Sequence, residues 1–330
     1  MVLCDSFGRT IRDLRISLTD KCNFRCFYCM PEHRTKVLPR DELLTFEEIA
    51  HIAEIFVELG IEKIRLTGGE PLVRREVPTL VRSLNKLRPG LKDIALTTNG
   101  ARFSEYAEDL QAAGLDRVTF SLDSLDRKKF LAITGSDSLD AVLESIQIAV
   151  ALGFSNIKIN AVIVRGRNDD EIIAFADFAR KNGVSVRFIE FMPLDSTHKW
   201  KRESVVTGKE ILERIAERYE ITPEEMLHAG DTARRYRFTD GSPGEIGIIA
   251  PVSQSFCGQC SRIRITADGQ IRTCLFSQTE YDLLSLLRSD AKDDVIKEFI
   301  VNAVNKKEAG HRINEPDFVQ PARSMRFIGG

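Results

Sequence analysis

The chain has 330 residues, of which 43% are hydrophobic and 29% charged, and its 47 Lys and Arg nearly balance its 49 Asp and Glu. This is an ordinary globular composition, and the length allows one large α/β unit or two domains. No apolar run approaches the ~18 residues of a membrane span, and no secretory signal pattern is present at the start of the chain. The near-neutral net charge would not attract nucleic acid. We therefore expect a soluble, cytoplasmic protein without membrane or nucleic-acid partners.

Short β-branched or apolar runs alternate with amphipathic stretches from about residue 12 to residue 192, which is the pattern of six βα units. The clearest helix follows the predicted N-cap Thr45, with Glu48 three residues later, and ends at Gly60. Such units form either a barrel, closed or partial, or an open doubly wound sheet, and the pattern does not choose between them. The predicted strands are Leu14–Leu18, Lys63–Thr67, Asp93–Thr98, Arg117–Leu122, Asn156–Val164 and Val184–Phe191.

The alternation ends at Pro193. A charged stretch then leads to a helical segment at Lys209–Tyr219, short strands, and a further helix at Asp293–Asn305. We therefore expect two domains, a βα domain over residues 1–195 and an α+β extension over residues 196–330.

Six of the seven cysteines fall into two groups, which in a reducing compartment indicates metal ligands rather than disulfides and leaves Cys4 over. The first group, Cys22, Cys26 and Cys29, lies in the loop after the first predicted strand. Three local thiolates leave one metal position open, as a cluster that binds a small molecule requires. A zinc knuckle completed by His33 or by a distant cysteine is the alternative. The same loop carries aromatic residues that would shield a cluster from water: Phe24, Phe27 and Tyr28.

The C-x3-C-x2-C loop after the first strand and Gly68-Gly69-Glu70-Pro71 after the second resemble the radical S-adenosylmethionine superfamily. This resemblance implies a partial (βα)6 barrel of the TIM type and a [4Fe-4S] cluster whose fourth iron binds S-adenosylmethionine. It implies that Gly68, Gly69 and Glu70 meet the amino end of S-adenosylmethionine, since glycines admit close backbone approach and a carboxylate suits an ammonium. The other implied cofactor-binding residues are Tyr28, Ser121 and Met192.

The second group of cysteines comprises Cys257, Cys260 and Cys274. Its spacing fits a zinc ribbon completed by His311 as well as a second iron–sulfur cluster. In the second case three cysteines again leave one iron free, here for substrate. A strand is predicted between these cysteines, at Ile263–Thr266.

Basic residues surround this second group in the predicted fold. Strand alternation aims Arg262 and Arg264 to the same side, beside Cys260. Buried cations are costly unless they meet an anion, and Arg matches phosphate oxygens, so the set predicts a polyanionic substrate. Further cations lie on the predicted strands among apolar neighbours: Arg15, Lys63, Arg65, Lys158 and Arg187. Two uncharged residues complete the predicted substrate contacts: Thr97 and Ile263.

Nearly the whole chain, from Leu-Arg-Ile-Ser-Leu-Thr-Asp-Lys-Cys22 through Cys-Ser-Arg-Ile-Arg264 to Phe-Ile-Gly-Gly330, resembles the GTP 3′,8-cyclases of molybdenum cofactor biosynthesis. The resemblance implies that a 5′-deoxyadenosyl radical removes the 3′ hydrogen of GTP and that the ribose radical attacks guanine C8, giving (8S)-3′,8-cyclo-7,8-dihydroguanosine 5′-triphosphate. It also implies two [4Fe-4S] clusters, no catalytic side chain beyond them, and a Gly329-Gly330 tail that enters the site.

The partners implied by this resemblance are GTP, an electron donor such as flavodoxin or ferredoxin, and the pathway enzyme cyclic pyranopterin monophosphate synthase; the assembly would be a monomer or a homodimer. Two other functions stay open at this point. One is a radical enzyme that modifies a peptide or another nucleotide, against which the single second triplet with its arginine pair argues. The other is a non-enzymatic zinc or iron–sulfur sensor, against which the neutral charge and the Gly-Gly-Glu-Pro loop argue.

Overall fold

The computed structural model describes residues 2–30, 37–194, 199–225 and 230–329. The strands in these ranges are β1 Asp13–Ser17, β2 Lys63–Thr67, β3 Asp93–Thr98, β4 Arg117–Ser121, β5 Lys158–Ile163, β6 Ser185–Glu190, β7 Ile221–Pro223, β8 Arg234–Phe238, β9 Glu245–Ile249, β10 Arg262–Ile265, β11 Gln270–Arg272 and β12 Tyr281–Asp282. The α-helices are α1 Phe46–Glu58, α2 Val77–Asn85, α3 Ala107–Ala113, α4 Arg127–Thr134, α5 Leu139–Ala151, α6 Ile172–Asn182, α7 Gly208–Ala216, α8 Leu283–Leu287, α9 Asp293–Asn305 and α10 Met325–Ile328.

All of these strands belong to one sheet, in the order β12-β11-β10-β1-β2-β3-β4-β5-β6-β9-β8-β7. Strands β1 to β6 pair in parallel in chain order, which confirms the six predicted βα units and the partial barrel. Strand β10 adds in parallel to β1, and β9 adds in parallel to β6. The region after Pro193, which the sequence pattern sets apart, therefore extends the same sheet on both sides.

The local signals in the sequence match the observed elements closely. Strands β2 and β3 and helix α9 have the predicted bounds, and the other barrel strands differ by one or two residues at an end. Helix α1 begins with the predicted capping box, in which the Thr45 hydroxyl accepts from the Glu48 amide and the Glu48 carboxylate accepts from the Thr45 amide. Helix α7 begins one residue before the predicted segment, at the capping box of Thr207, and ends three residues before it.

Alternation along the strands separates an apolar outer face from a polar interior. In β1 Leu14 and Ile16 are buried in the main hydrophobic core, between the sheet and the helices, whereas Asp13, Arg15 and Ser17 take the other face. A small second core forms around Leu194, Val205, Val252, Phe276 and Ile313. The barrel interior is thus a polar space enclosed by an apolar shell.

None of the helices in the described ranges has the length and apolar character to cross a membrane.

Candidate active site inside the barrel

The two loops that follow β1 and β2 are strapped together by their main chains. The amides of Gly69 and Glu70 donate to the carbonyls of Thr19 (2.7 Å) and Lys21 (2.8 Å). A Cβ at position 69 would lie 2.4 Å from the Lys21 carbonyl oxygen, and one at position 68 would lie 2.7 Å from that of Thr19. Both glycines are therefore required by the close packing of this loop against the residues that precede Cys22.

Glu70 is buried and its carboxylate is occupied within the protein. It accepts hydrogen bonds from the amides of Leu72 (3.0 Å) and Asn99 (2.6 Å) and from the Thr98 hydroxyl (2.7 Å). Burial raises the pKa of Glu70 to about 7, against the opposing effect of these donors. The Glu70 side chain thus joins the loops after β2 and β3. The predicted contact with an ammonium would therefore be made by polar groups of this segment that are not used in these hydrogen bonds.

Aromatic side chains pack against the cysteine loop. Phe27 stacks edge-on against Tyr28 with ring centroids 5.3 Å apart, and Phe191, which the sequence analysis missed, lies 6.2 Å from Phe27. The Tyr28 hydroxyl donates to the carboxylate of Asp123, whose pKa burial raises to about 6. This bond ties the cysteine loop to the segment after β4.

The other predicted cofactor residues lie at the ends of their strands. Ser121 is the last residue of β4, and Met192 follows β6 and packs against the second core, as Cys274 and Met325 of the tail helix α10 also do. Phe24 is buried against Phe130, with centroids 5.7 Å apart. His33 lies outside the described residues. The cofactor roles of Ser121, Met192 and Tyr28 stay predictions.

The first cysteine group suits an iron–sulfur cluster in its chemistry. Burial raises the pKa of Cys22 to about 11 and that of Cys29 to about 12, and it raises that of Cys26 well above its ordinary value, so three thiolates here need a strong cationic partner. Two donors already face the Cys22 sulfur, the Phe24 amide at 3.3 Å and the Asn99 carboxamide at 3.8 Å, as iron-bound sulfur favours.

The described residues form no site for a single metal ion. In those ranges no three His, Cys, Asp or Glu side chains converge as ligands of one metal ion. The cysteines of a [4Fe-4S] cluster each bind a different iron, so this finding does not bear on a cluster.

A cationic cavity opens near the amino ends of the barrel strands. Its empty volume is about 620 Å³, including space open to solvent. Seven cationic and three acidic side chains line it, and six of the seven cations are predicted substrate residues. The cations are Arg15, Lys63, Arg65, Arg117, Lys158, Arg187 and Arg262, and the acids are Asp13, Asp93 and Asp231.

In folds of repeated βα units functional groups usually follow the carboxyl ends of the strands, whereas these cations lie on the first or middle residues of their strands. Lys63, Arg117, Lys158 and Arg262 are each the first residue of a strand, so the cavity occupies the barrel end opposite the cysteine loop. Arg15 and Arg65 are the middle residues of β1 and β2.

Register brings the arginines into one row. Arg15 is the Cα partner of both Arg65 on β2 and Arg264 on β10, so the three side chains share the interior face. Burial, and then the neighbouring cations Arg262 and Arg65, lower the pKa of Arg15 to about 9. Arg65 donates to the hydroxyls of Thr97 (3.1 Å) and Thr119 (3.0 Å), and the contact of Thr97 with substrate stays a prediction.

Lys158 and Arg187 are also buried among other cations. Burial, followed by Arg187, Arg117 and Arg65, lowers the pKa of Lys158 to about 6, and burial lowers that of Arg187 to about 10 against the opposing effect of Glu245. The Nε of Arg187 is buried and has no hydrogen-bond partner in the described part of the chain. Arg117, in contrast, is held by Asp93 on the adjacent strand β3. A polyanion in the cavity would relieve the repulsion among the other cations.

The second cysteine group is held by two buried cations that the sequence analysis missed. Arg9 forms an ion pair with Asp5 and donates to the carbonyls of Cys257 (2.9 Å), Ala309 (2.9 Å) and Glu308 (2.6 Å). Lys307 donates to the carbonyls of Arg262 (2.9 Å) and Thr273. No local motif marks either residue, because their partners are distant in sequence.

The electrostatic setting of this group differs from that of the first. Although burial acts to raise it, Arg262 and Lys307 bring the pKa of Cys260 down to about 6, and the Nη2 of Arg262 lies 3.4 Å from the Cys260 sulfur. For Cys257, burial is likewise the largest single effect and acts to raise the pKa, but the hydrogen bonds and charge of His311 together with the Ser255 hydroxyl outweigh it and bring the pKa to about 7. Thiolates with such donors suit a cluster.

The C-terminal tail lies inside the barrel. Arg264 donates to the Gly329 carbonyl, and a Cβ on Gly329 would lie 2.5 Å from the Thr67 hydroxyl. Arg326 is buried, and its charge acts to lower the pKa values of Cys22 and Cys29 against the larger effect of burial. The expected entry of the tail into the site thus holds for Gly329, and Gly330 lies outside the described residues.

Comparison with known proteins adds two family matches. Residues 16–179 match the model of the radical SAM superfamily, and residues 184–313 match that of Molybdenum Cofactor Synthesis C. In structure the chain is similar to Streptococcus suis SuiB bound to S-adenosylmethionine, with a TM-score of 0.62 and 16% identity over 95% of this chain and 76% of that one. It is also similar to anSMEcpe with bound AdoMet, with a TM-score of 0.59 and 14% identity over 91% and 82%. The barrel and its cysteine loop therefore define a radical S-adenosylmethionine enzyme.

Closer relatives are curated GTP 3′,8-cyclases. The one from Rhodopirellula baltica is 44% identical over 100% of this chain and 92% of its own length, and the one from Syntrophomonas wolfei is 45% identical over 99% and 100%. The chain belongs to the GTP 3′,8-cyclase family.

Proposed function

We propose that this chain cyclises GTP to (8S)-3′,8-cyclo-7,8-dihydroguanosine 5′-triphosphate, the first step of molybdenum cofactor biosynthesis. The observation that carries the proposal is a cationic cavity beside the second cysteine group, with the first cysteine group at the other end of the same barrel interior. Cys22 follows the carboxyl end of β1, whereas Cys260 precedes the amino end of β10, its parallel neighbour. Strands of four or five residues span about 15 Å, so the two groups stand at opposite ends of one polar interior.

The first cysteine group would hold the [4Fe-4S] cluster and S-adenosylmethionine, with Gly68, Gly69, Glu70, Tyr28, Ser121 and Met192 around them. When bound and reduced, this pair supplies a 5′-deoxyadenosyl radical. Cys257, Cys260 and Cys274 would hold a second [4Fe-4S] cluster, whose fourth iron is left for the guanine edge.

The protein's own part is to place and shield the reactants. The basic residues Arg15, Lys63, Lys158 and Arg187 bind the triphosphate, and the Arg262 and Arg264 pair holds it beside the second cysteine group. Positioning the ribose at a fixed distance from the first site gives the large advantage of an intramolecular reaction. The aromatic group at Phe27 and the apolar shell keep water from the reactants.

The setting we propose is the cytoplasm, where the cysteines stay reduced. Electrons would come from a flavodoxin or ferredoxin, and the product would pass to cyclic pyranopterin monophosphate synthase. The assembly is a monomer or a homodimer.

Anaerobic reconstitution tests this function. Reconstituted protein should hold about eight irons per chain, as two [4Fe-4S] clusters require, and should form 5′-deoxyadenosine and the cyclised nucleotide only when reductant, S-adenosylmethionine and GTP are all present. ATP in place of GTP is the control. Absence of iron, or 5′-deoxyadenosine that does not depend on GTP, would contradict the proposal, and a peptide-dependent product would favour the other class of radical enzyme.

A further inference from the structure

Exposed cations border the first cysteine loop. Lys21 and Arg25 each directly precede a cysteine of this loop, and both residues are exposed. Arg167, in the loop after β5, is also exposed, and its guanidinium lies 4.4 Å from the centroid of the Phe27 ring. No acidic residue in the described ranges forms an ion pair with any of these three cations. Positive charge therefore accumulates on the outer side of the loop.

Helix α4, beside this loop, shows how surface cations are commonly arranged in the chain. Arg127 forms an ion pair with Asp137, and Lys129 forms one with Asp170. Lys128, between them, is exposed and has no ion pair with a described residue. Unpaired cations thus gather near the loop although the chain as a whole has a net charge of −2. Like charges left together repel one another, so they indicate a surface that meets an opposite charge.

An exposed apolar side chain adjoins these cations. Leu131 of α4 is 47% exposed and lies three residues after Lys128, on the same face of the helix. The helix ends against the cysteine loop, where the Thr134 carbonyl accepts from the Arg25 amide (2.7 Å). An apolar contact bordered by charged residues is the arrangement of a protein interface. The surface therefore suits a protein partner.

The position of this surface decides which protein fits it. In the proposed function the cluster on Cys22, Cys26 and Cys29 takes up one electron before S-adenosylmethionine is cleaved, and that electron comes from outside the chain. Asn23 and Arg25, which lie between the first two cysteines, are both exposed, so the loop that would hold the cluster is itself part of the outer surface. A positive surface at this place selects an electron carrier of negative charge.

We propose that a basic rim around the first cysteine loop docks an acidic protein that carries single electrons, and that this carrier reduces the first cluster there. The rim comprises Lys21, Arg25, Lys128 and Arg167. The inference rests on the proposed function, which places an iron–sulfur cluster in this loop. The reduced carrier loses one electron, the cluster gains it, and no bond forms or breaks. The rim supplies the charge attraction that steers docking, so the association weakens as salt is added.

The test compares a rim variant with a matched control in reconstituted protein. The rim variant combines Arg25→Glu with Arg167→Glu. The control combines Arg82→Glu with Lys86→Glu, and both variants change the net charge equally. Arg82 and Lys86 are exposed, have no ion pair with a described residue, and lie at the end of α2 that leads to the amino end of β3, away from the cysteine loop. The probes are flavodoxin and ferredoxin of net negative charge, both reduced, and dithionite as a small reductant.

Two measurements are made without GTP. Calorimetry gives the dissociation constant of the carrier at low and at high ionic strength, and electron paramagnetic resonance follows the reduction of the first cluster by the carrier. The rim variant should bind the carrier about tenfold more weakly at low ionic strength and should be reduced more slowly, and both differences should vanish at high ionic strength. Dithionite should reduce wild type and both variants alike. Lys21→Gln with Lys128→Gln, which removes charge without reversing it, serves if the glutamate variant loses its iron.

Equal binding and equal reduction in the rim and control variants would show that the proposal is wrong. A rim variant whose oligomeric state changes in light scattering while its reduction by the carrier does not would also overturn it, because the rim would then be a contact between copies of this chain. Wild type that neither carrier reduces has the same consequence. Failure of dithionite-reduced wild type to cyclise GTP contradicts the proposed function instead, and the two measurements without GTP still test the rim.

Discussion

The guanidinium of Arg264, on β10, donates a hydrogen bond to the main-chain carbonyl of Gly329, near the end of the chain. Gly329 also lies close to Thr67 of β2 and Ser17 of β1, on the interior face of the sheet. One arginine of the predicted triphosphate site thus holds the tail within the barrel. The tail and the predicted triphosphate site are therefore neighbours, and the tail can be tested separately.

Gly329→Ala should displace the tail. The residue has a φ of +80°, and its Cβ would lie 2.5 Å from the Thr67 hydroxyl and 3.2 Å from the Ser17 Cβ. We expect cyclised product to fall at least about tenfold, as misplacement near a reacting centre does, while the unfolding temperature changes little. The control is Gly241→Ala, with a φ of +74° and nothing within 4 Å of its Cβ. Equal activity in the two variants would show that the tail position is immaterial.

Replacing Arg9 tests whether this side chain stabilises the second cysteine group. Arg9→Met removes three hydrogen bonds to the carbonyls of Cys257, Glu308 and Ala309, and it leaves the Asp5 carboxylate buried without its cation. We expect iron to fall from about eight to about four per chain, since the first cluster has its own loop. Iron analysis and the S-adenosylmethionine-induced change in the resonance of the first cluster measure this directly.

The matched control for Arg9 is Arg12→Met, because the Arg12 side chain is 56% exposed and only 3.9 Å from Glu62 in a weak ion pair. Full iron content in Arg9→Met, or equal loss in both variants, would contradict a specific role for Arg9.

The titration of Lys158 should make GTP binding depend on pH. Its pKa of about 6 leaves the amine mostly neutral at pH 7, and a bound polyanion raises that pKa, so binding takes up a proton. The affinity for GTP should therefore fall as pH rises from 6 to 8, by up to about tenfold per pH unit. Calorimetry in buffers of different ionisation enthalpy measures the uptake. Lys158→Arg, which stays charged, should lose this component, and an unchanged uptake would refute the assignment.

The same lysine gives a stability trend for the substrate-free protein. Because the folded pKa lies below the ordinary 10.5, the unfolded chain binds the extra proton between these values. Stability should thus rise as pH increases above 6, and the penalty is fully present below it. Thermal unfolding of wild type and Lys158→Met across this range gives the difference.

Glu70→Gln tests the junction of the loops after β2 and β3. Both carboxylate oxygens accept from buried donors, so the amide nitrogen of glutamine would face the Asn99 amide or the Leu72 and Thr98 pair. We expect a loss of about 1–3 kcal/mol in stability and weaker S-adenosylmethionine binding. Glu54→Gln on the exposed face of α1 is the control for thermal unfolding. Stability equal to that of the control would mean that these bonds contribute little.

Local features of the fold could be predicted from the sequence, and long-range ones could not. The capping box of Thr45 and Glu48 and the bounds of β2 depend on neighbouring residues, and both were found. The parallel pairing of Arg264 with Arg15 joins residues far apart in the chain, and no local pattern encodes that register.

The candidate site divides in the same way. The cysteines, the glycine loop and the strand cations are recognisable by spacing and charge, whereas Arg9 and Lys307 act on main-chain carbonyls of distant segments and carry no motif. Arg117 was not predicted as a cavity residue, because an arginine at the start of a strand is usually exposed. Its hydrogen bond to Asp93 holds it in the cavity wall. Local sequence patterns therefore do not identify buried cations whose partners are distant in the chain.

Hydrogen transfer from substrate is the central claim, and deuterium measures it most directly. Reconstituted protein is incubated anaerobically with reductant, S-adenosylmethionine and GTP deuterated at C3′, and the 5′-deoxyadenosine is analysed by mass spectrometry. We predict 5′-deoxyadenosine that carries the deuterium, because the proposed function places the ribose of GTP next to the cofactor site. 5′-Deoxyadenosine formed from GTP without deuterium would contradict it.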